Sequence, residues 1–225
     1  MKILLEDKDQ IVVHKPAGLA TQTARLGEKD LVSEIKNHIS RETGNPNPYV
    51  AVINRLDQPV EGIVLFAKNA RTAAALTAQM QNGIMQKYYY AAVFGHMEQL
   101  KDELTDYLEK DNRNNLSRVV LNKTPASKKA VLAYEKLSED SGMDIIKIHL
   151  LTGRHHQIRV QFSHRGHPLI GDTKYGSKES MQLGRELGVR TPALCACHLK
   201  WKHPVTAEEL SVSITPEHPI LKVKQ

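Results

Sequence analysis

A chain of 225 residues is long enough for one domain with a sizeable core and short for two full ones. Apolar residues make up 40% and charged residues 25%, ordinary globular proportions that exclude a disordered or low-complexity chain. No stretch approaches the roughly 20 apolar residues of a membrane span. Lys and Arg outnumber Asp and Glu by 31 to 25, and the resulting charge of +6 suits a polyanionic partner without requiring one.

The N-terminus reaches acidic residues by Glu6 and lacks the apolar run of a signal peptide, so a soluble cytoplasmic protein is expected. Ile3 to Leu5 and Ile11 to His14 read as short strands, the second closed by Pro16 and Gly18. Asp30 can cap a helix in which Leu31, Ile35 and Ile39 recur at four-residue spacing, ending near Gly44. The segment Asn45-Pro46-Asn47-Pro48 must be a loop. An apolar run from Tyr49 to Ile53 leads into Asn54-Arg55-Leu56-Asp57, and Ile63 to Ala67 reads as a buried strand. Asn69 caps an alanine-rich helix to about Asn82, with Gly83 as its stop.

Lys87 to Gly95 is aromatic and β-branched, hence a strand, in which alternation sends Tyr88 and Tyr90 to one face and Tyr89 to the other. From there to Leu151 strands and hairpins prevail, including Ala130 to Leu137 and Ile145 to Leu151. His155 to Arg165 reads as a short helix with Ile158 and Phe162 on one side, and strands return at Leu194 to Trp201 and Leu210 to Ile214. Strands that do not alternate strictly with helices point to an α+β fold with a mixed, largely antiparallel central sheet flanked by helices and loops. There is no internal repeat and no linker-like run, so residues 1–225 are expected to form a single domain.

Basic residues cluster twice. Lys110, Arg113, Arg118, Lys123, Lys128 and Lys129 occupy a polar stretch that reads either as a polyanion-contacting surface or as a solvated hairpin face. Arg154, Arg159, Arg165 and Lys174 are interleaved with histidines. Cys195 and Cys197 read as small residues of a buried strand, since partners at that spacing rarely form a structural disulfide and a zinc site would need further spaced ligands.

Three distant segments carry the chemically suggestive residues. The first is Asn54-Arg55-Leu56-Asp57-Gln58-Pro59, the second Lys87-Tyr88-Tyr89-Tyr90, and the third Thr152-Gly153-Arg154-His155-His156-Gln157-Ile158-Arg159. Singly, each has an ordinary structural account as turn, sheet surface or helix start. In order, and together with His14-Lys15-Pro16-Ala17-Gly18-Leu19, His198-Leu199 and His203-Pro204-Val205-Thr206, they resemble the RluA-like RNA pseudouridine synthases nearly end to end.

That resemblance implies an isomerase that breaks the bond from ribose C1′ to uracil N1 and rebuilds it to C5, with no change of oxidation state. It implies no small-molecule cofactor and no metal, and the sequence carries neither a P-loop nor a GxGxxG segment. Asp57 matches the catalytic carboxylate, a nucleophile or a stabiliser of charge at C1′. Arg154 matches the cation that keeps it ionised, and Tyr89 the tyrosine that stacks on the target base. Arg55 matches the arginine that fills the gap left by a flipped base, and Ile158 an apolar residue of the pocket. His156, Gln157 and Arg159 complete the third motif and are expected at the substrate. The implied partner is ribosomal or transfer RNA, with no membrane, and the chain is taken as a monomer.

Four positions depart from the family pattern. Asn54 stands for the usual histidine, Val60 and Glu61 for Thr-Ser, and His155 for the threonine that follows Gly-Arg. Two other readings compete. One is a metal-dependent hydrolase on His155, His156, His164 and His167, which lacks an HExxH-type carboxylate partner. The other is a non-catalytic RNA-binding protein that retains the synthase fold, motivated by the altered neighbours of Asp57.

Overall fold

The computed structural model describes residues 1–23 and 27–221. Its strands are β1 (Lys2–Glu6), β2 (Gln10–Lys15), β3 (Ala51–Val52), β4 (Glu61–Ala67), β5 (Gln86–Phe94) and β6 (Lys101–Asp111). They continue as β7 (Leu116–Val120), β8 (Lys128–Asp140), β9 (Met143–Leu150), β10 (Leu194–Lys202) and β11 (Glu209–Ser213). Four helices are interspersed among the described residues: α1 (Leu31–Thr43), α2 (Ala70–Gln81), α3 (Gln157–His164) and α4 (Lys178–Glu186). The chain divides into two compact units, Met1–Gln86 with Ala196–Thr215, and Lys87–Cys195 with Pro216–Gln225. This is the α+β, largely antiparallel arrangement that the sequence predicts. Among the described residues no helix is long and apolar enough to cross a membrane.

In the first unit the strand order is β1-β2-β4-β10, with β11 on β10 and β3 on β4. The pairings β1–β2, β2–β4 and β10–β11 are antiparallel. Every residue of β4 is buried, as its unbroken apolar run requires. Its core joins Val12, Ile63 and Leu65 to Leu76 of α2 and to Leu199 and Trp201 of β10. α1 begins where Asp30 accepts a hydrogen bond from the Ser33 N–H at 2.7 Å, buries Leu31, Ile35 and Ile39, and ends at Gly44 in the left-handed region. α2 is capped the same way by Asn69 and stops before Gly83, also at positive φ.

In the second unit the order is β5-β9-β8-β6-β7, antiparallel throughout. Its apolar contacts include Leu108, Ala130 and Val160 of α3, with Tyr175 packed against them.

The structure departs from the sequence reading in three places. The Tyr49 to Ile53 run yields only the two residues of β3, because Asn54 takes over the hydrogen bonds that a longer strand would make. The helix expected from His155 starts at Gln157, since His156 has a φ of 53° and cannot belong to a right-handed helix. α4 has no counterpart in the sequence reading; Ser177 caps it by accepting from the Ser180 N–H.

Candidate active site

In the first unit, Asp57 sits in the turn between β3 and β4, half-buried, with its carbonyl accepting from the Val60 N–H at 3.0 Å. Three tethers fix this turn. Asn54 donates from its amide to the Ile63 carbonyl at 3.0 Å and accepts from the Leu65 N–H at 2.8 Å, stitching the segment to β4. Thr21 donates its hydroxyl to the Leu56 carbonyl at 2.9 Å and accepts from the Leu56 N–H. Gln58 and Gly18 exchange two hydrogen bonds, at 2.9 and 3.1 Å. Arg55, between these anchors, is exposed.

The Lys15 side chain is fully buried at the end of β2. Its ammonium donates to the carbonyls of Pro16, Leu19 and Gln58 at 3.1, 2.7 and 3.1 Å, so each of its three protons has an acceptor. Burial pushes its pKa down to about 8, while the negative charges of Asp57 and Glu61 oppose the shift. The Asp57 turn is therefore built around an internal cation. Glu61, one of the departures from the family pattern, is itself buried, and its carboxylate lies 3.9 Å from His14 Nε2.

In the second unit, β5 alternates as expected: Lys87, Tyr89 and Ala91 are buried while Tyr88 and Tyr90 are half-exposed. Tyr88 stacks on His149 at 4.6 Å between ring centroids. Burial, reinforced by the positive charge of Arg154, holds Lys87 below the usual lysine range. A Cβ added at Gly153 would lie 3.4 Å from the Lys87 ammonium, at ordinary contact distance, so this lysine packs directly beside the residue before Arg154.

The Arg154 loop is held through Gln157. The Gln157 carboxamide oxygen accepts from the Arg154 N–H at 3.0 Å and the Thr152 hydroxyl at 2.8 Å, and its amide donates to the Val131 carbonyl at 3.1 Å. Arg154 itself is exposed, with Nε donating to the Lys129 carbonyl at 2.8 Å.

The remaining third-motif residues are turned into the protein. Ile158 is buried. The Arg159 guanidinium is buried against Asp172, with Nε and Nη2 each 2.7 Å from a carboxylate oxygen. Asp172 also accepts from the N–H groups of Lys174 and Tyr175. His156 Nδ1 lies 2.7 Å from the Tyr175 hydroxyl.

Residues 9–164 match the family described as RNA pseudouridylate synthase. The chain belongs to that family. Within it, this chain is RluA-like: it is 31% identical to the uncharacterized RNA pseudouridine synthase YjbO of Bacillus subtilis over 93% of this chain and 70% of that protein. It is also 31% identical to the dual-specificity RNA pseudouridine synthase RluA of Vibrio parahaemolyticus, over 88% of this chain and 78% of that protein. In fold it is similar to the human RNA pseudouridylate synthase domain containing 4 protein, with a TM-score of 0.80 at 20% identity, over 98% of this chain and 91% of that one. A pseudouridine synthase is an isomerase of RNA, and that is this chain's enzyme class.

His155 and His156 stack ring on ring at 3.7 Å, and His167 Nδ1 is bonded to the Phe94 carbonyl. Among the described residues, His155, His156, His164 and His167 take part in no group of three metal-ligating atoms. Lys15 and Lys87 are the features that sequence reasoning left without a role. A signal existed for both: a lysine closing the apolar run Ile11 to His14, and a lysine in phase with Tyr89 on the buried face of β5.

Proposed function

We propose that this chain converts uridines of ribosomal or transfer RNA to pseudouridine with Asp57 as the catalytic carboxylate, residues 1–225 acting as one catalytic domain. The observation that carries the reading is the Asp57 turn itself, held at Asn54, Leu56 and Gln58 and built over the buried Lys15 ammonium. A carboxylate in such a setting is held in one place beside a cation, as a positioned nucleophile requires.

In the proposed cycle the target nucleotide is flipped out of its stack, at a cost of roughly a few kcal/mol. Arg55, exposed and planar, stacks into the space it leaves. Asp57 attacks the base or assists departure at C1′, the C1′–N1 bond breaks, and the uracil turns so that C5 meets C1′. The C5 proton then leaves, N1 gains one, and any bond the Asp57 carboxylate has made to the nucleotide is broken so that the free carboxylate is regenerated. Tyr89 stacks on the base, Ile158 lines its pocket, and Arg154 supports the ionised Asp57 with the second buried lysine, Lys87, as its neighbour. His156, Gln157 and Arg159 serve this site from behind: Gln157 shapes the Arg154 loop, while Arg159 and His156 fix the start of α3.

The test is a map of pseudouridine in total RNA from the host with and without the gene. Loss of one or a few sites, restored by the wild-type gene and not by Asp57→Ala, is the expected result. Restoration by Asp57→Ala would sink the assignment of this carboxylate. An unchanged map, with purified protein inactive on unmodified RNA, would leave an RNA-binding protein on a synthase fold.

A further inference from the structure

His155 is the third-motif position at which this chain departs from the family's usual threonine, and in the structure both of its ring nitrogens are used. Nδ1 lies 2.9 Å from the Ser117 hydroxyl and Nε2 3.1 Å from the Asn115 side-chain oxygen. Both partners belong to the tip of the β6–β7 hairpin. Asn115 closes that turn at a φ of 51°, and Ser117 stands at the start of β7. A neutral ring with its proton on Nε2 satisfies the pair, donating to Asn115 and accepting from Ser117.

The same tip is gripped from a second side. The Ser117 N–H donates to the Tyr175 hydroxyl at 2.8 Å, and that hydroxyl in turn is bonded to His156 Nδ1. Lys174 donates to the Asn115 carbonyl at 3.1 Å. His155 and His156 stack, and His156 is held at a positive φ, a backbone state that is strained for a residue with a Cβ and persists only where surroundings impose it. Two residues at positive φ therefore meet in one network, which joins the hairpin tip to the residue next to Arg154. The hairpin also carries exposed Lys110, Arg113 and Arg118, the last paired with Glu109 at 2.9 Å. Cations on a projecting hairpin are suited to the phosphates of a polynucleotide.

We propose that His155 is a positioning residue that latches the tip of the β6–β7 hairpin, through Asn115 and Ser117, to the loop carrying Arg154, so that the phosphate-binding hairpin is already ordered beside that arginine when RNA arrives. This rests on the reading of the chain as an active synthase. Without the latch, RNA must order the hairpin as it binds, so binding weakens while the reaction of bound RNA is spared. The phosphates neutralised by the hairpin, and hence the salt dependence of binding, stay as they were.

The experiment uses the full chain and total RNA labelled with tritium at uridine C5, isolated from a host lacking the gene, and follows tritium release as the C5 proton departs. His155→Ala and His155→Thr are expected to raise KM about tenfold with kcat within about threefold, a pattern that marks weakened binding rather than impaired chemistry. His155→Gln, which can keep one of the two bonds, falls between. Partial unfolding would instead lower apparent kcat at constant KM, and that outcome, or an unchanged KM, overturns the proposal. Asn115→Ala and Ser117→Ala each reproduce the KM effect, and each combined with His155→Ala adds little more, because the residues act through one latch. Additive effects would also overturn it. If the wild type releases no tritium, the synthase reading fails by itself. The latch is then judged by retention of the same RNA on filters, where His155→Ala must still bind more weakly and equal binding refutes it.

Discussion

At the turn between β3 and β4, Asp57, the proposed catalytic carboxylate, is half-exposed, while Lys15 is wholly buried. Asp57→Asn keeps the shape of the side chain and removes its charge. Turnover is expected to fall by at least about a thousandfold, as for removal of a covalent catalyst, while RNA affinity changes by less than about threefold because phosphate contacts supply most of it. Tritium release and filter retention on the same preparation check both halves. Turnover near the wild-type rate in this variant would remove Asp57 from the mechanism.

Lys15 gives a pH signature whose sign follows from its burial. Its folded pKa of about 8 lies below its ordinary value of 10.5, so between those limits the unfolded chain binds more protons than the folded one. Stability from this group therefore rises with pH across that window, by roughly 3 kcal/mol at its upper end, and the penalty of burying the charge is fully present below pH 8. Activity should move the other way. Above pH 8 the ammonium beside Asp57 is lost and one of the three carbonyls it serves loses a donor. We expect an alkaline limb near pH 8 in kcat for the wild type that is absent from Lys15→Met. An identical limb in both proteins would assign it to another group.

At the scale of elements, a close approach and a buried ion pair carry disproportionate weight. Gly62 enters β4 at a φ of 138°, and a Cβ there would meet Ala196 of β10 at 2.5 Å, backbone included. Gly62→Ala therefore cannot be absorbed by rotating a side chain, and a loss of several kcal/mol is expected, read as a fall in Tm of about ten degrees or more. Arg159 and Asp172 form a pair with both partners buried. Removing one partner leaves the other as an uncompensated buried charge, so Asp172→Ala should cost about 3–5 kcal/mol. If Arg159 instead contacted RNA directly, Arg159→Met would raise KM without lowering Tm. The structure leads us to expect a lower Tm and an unchanged KM for the folded fraction.

Legibility in the sequence followed the range of the interactions involved. α1 and α2 were readable together with their caps because Asp30, Asn69, Gly44 and Gly83 act on backbone within four residues of themselves. The alternation of Tyr88, Tyr89 and Tyr90 was readable for the same reason. The extent of β3 within the run Tyr49 to Ile53 was not readable, because Asn54 reaches nine and eleven residues ahead to β4, a bond no local pattern announces. The start of α3 was misplaced because the positive φ of His156 depends on Tyr175 and on the hairpin tip, far away in the chain. α4 escaped because its buried positions are Ser180 and Gly184, which carry no apolar period. At the site, the resemblance supplied Asp57, Tyr89 and Arg154, while Lys15 required the three converging carbonyls of Pro16, Leu19 and Gln58.

For the whole molecule the question is how a net charge of only +6 suffices for a polyanionic partner. Position resolves it. Lys110, Arg113, Arg118, Lys123, Lys128 and Lys129 are all exposed, within the span from β6 to the start of β8. Several other cations are committed elsewhere: Lys15 and Arg159 are buried, Arg165 pairs with Asp106, and Lys68 with Glu6. If the hairpin cations meet phosphates, each phosphate left without its cation takes about one unit from the slope of log affinity against log salt concentration, or about 0.7 for single strands. Changing Lys110, Arg113 and Arg118 together to Gln should lower that slope by about two, Arg118 contributing least because Glu109 already offsets its charge. The His155 variants are expected to keep the slope and this triple variant to reduce it, so the two sets separate the number of neutralised phosphates from the pre-organisation of the hairpin. Binding of total RNA by Asp57→Asn protein across a salt series, with and without the triple change, measures the effect without turnover. An unchanged slope would move the RNA to another face and reduce the hairpin cations to a solvated surface.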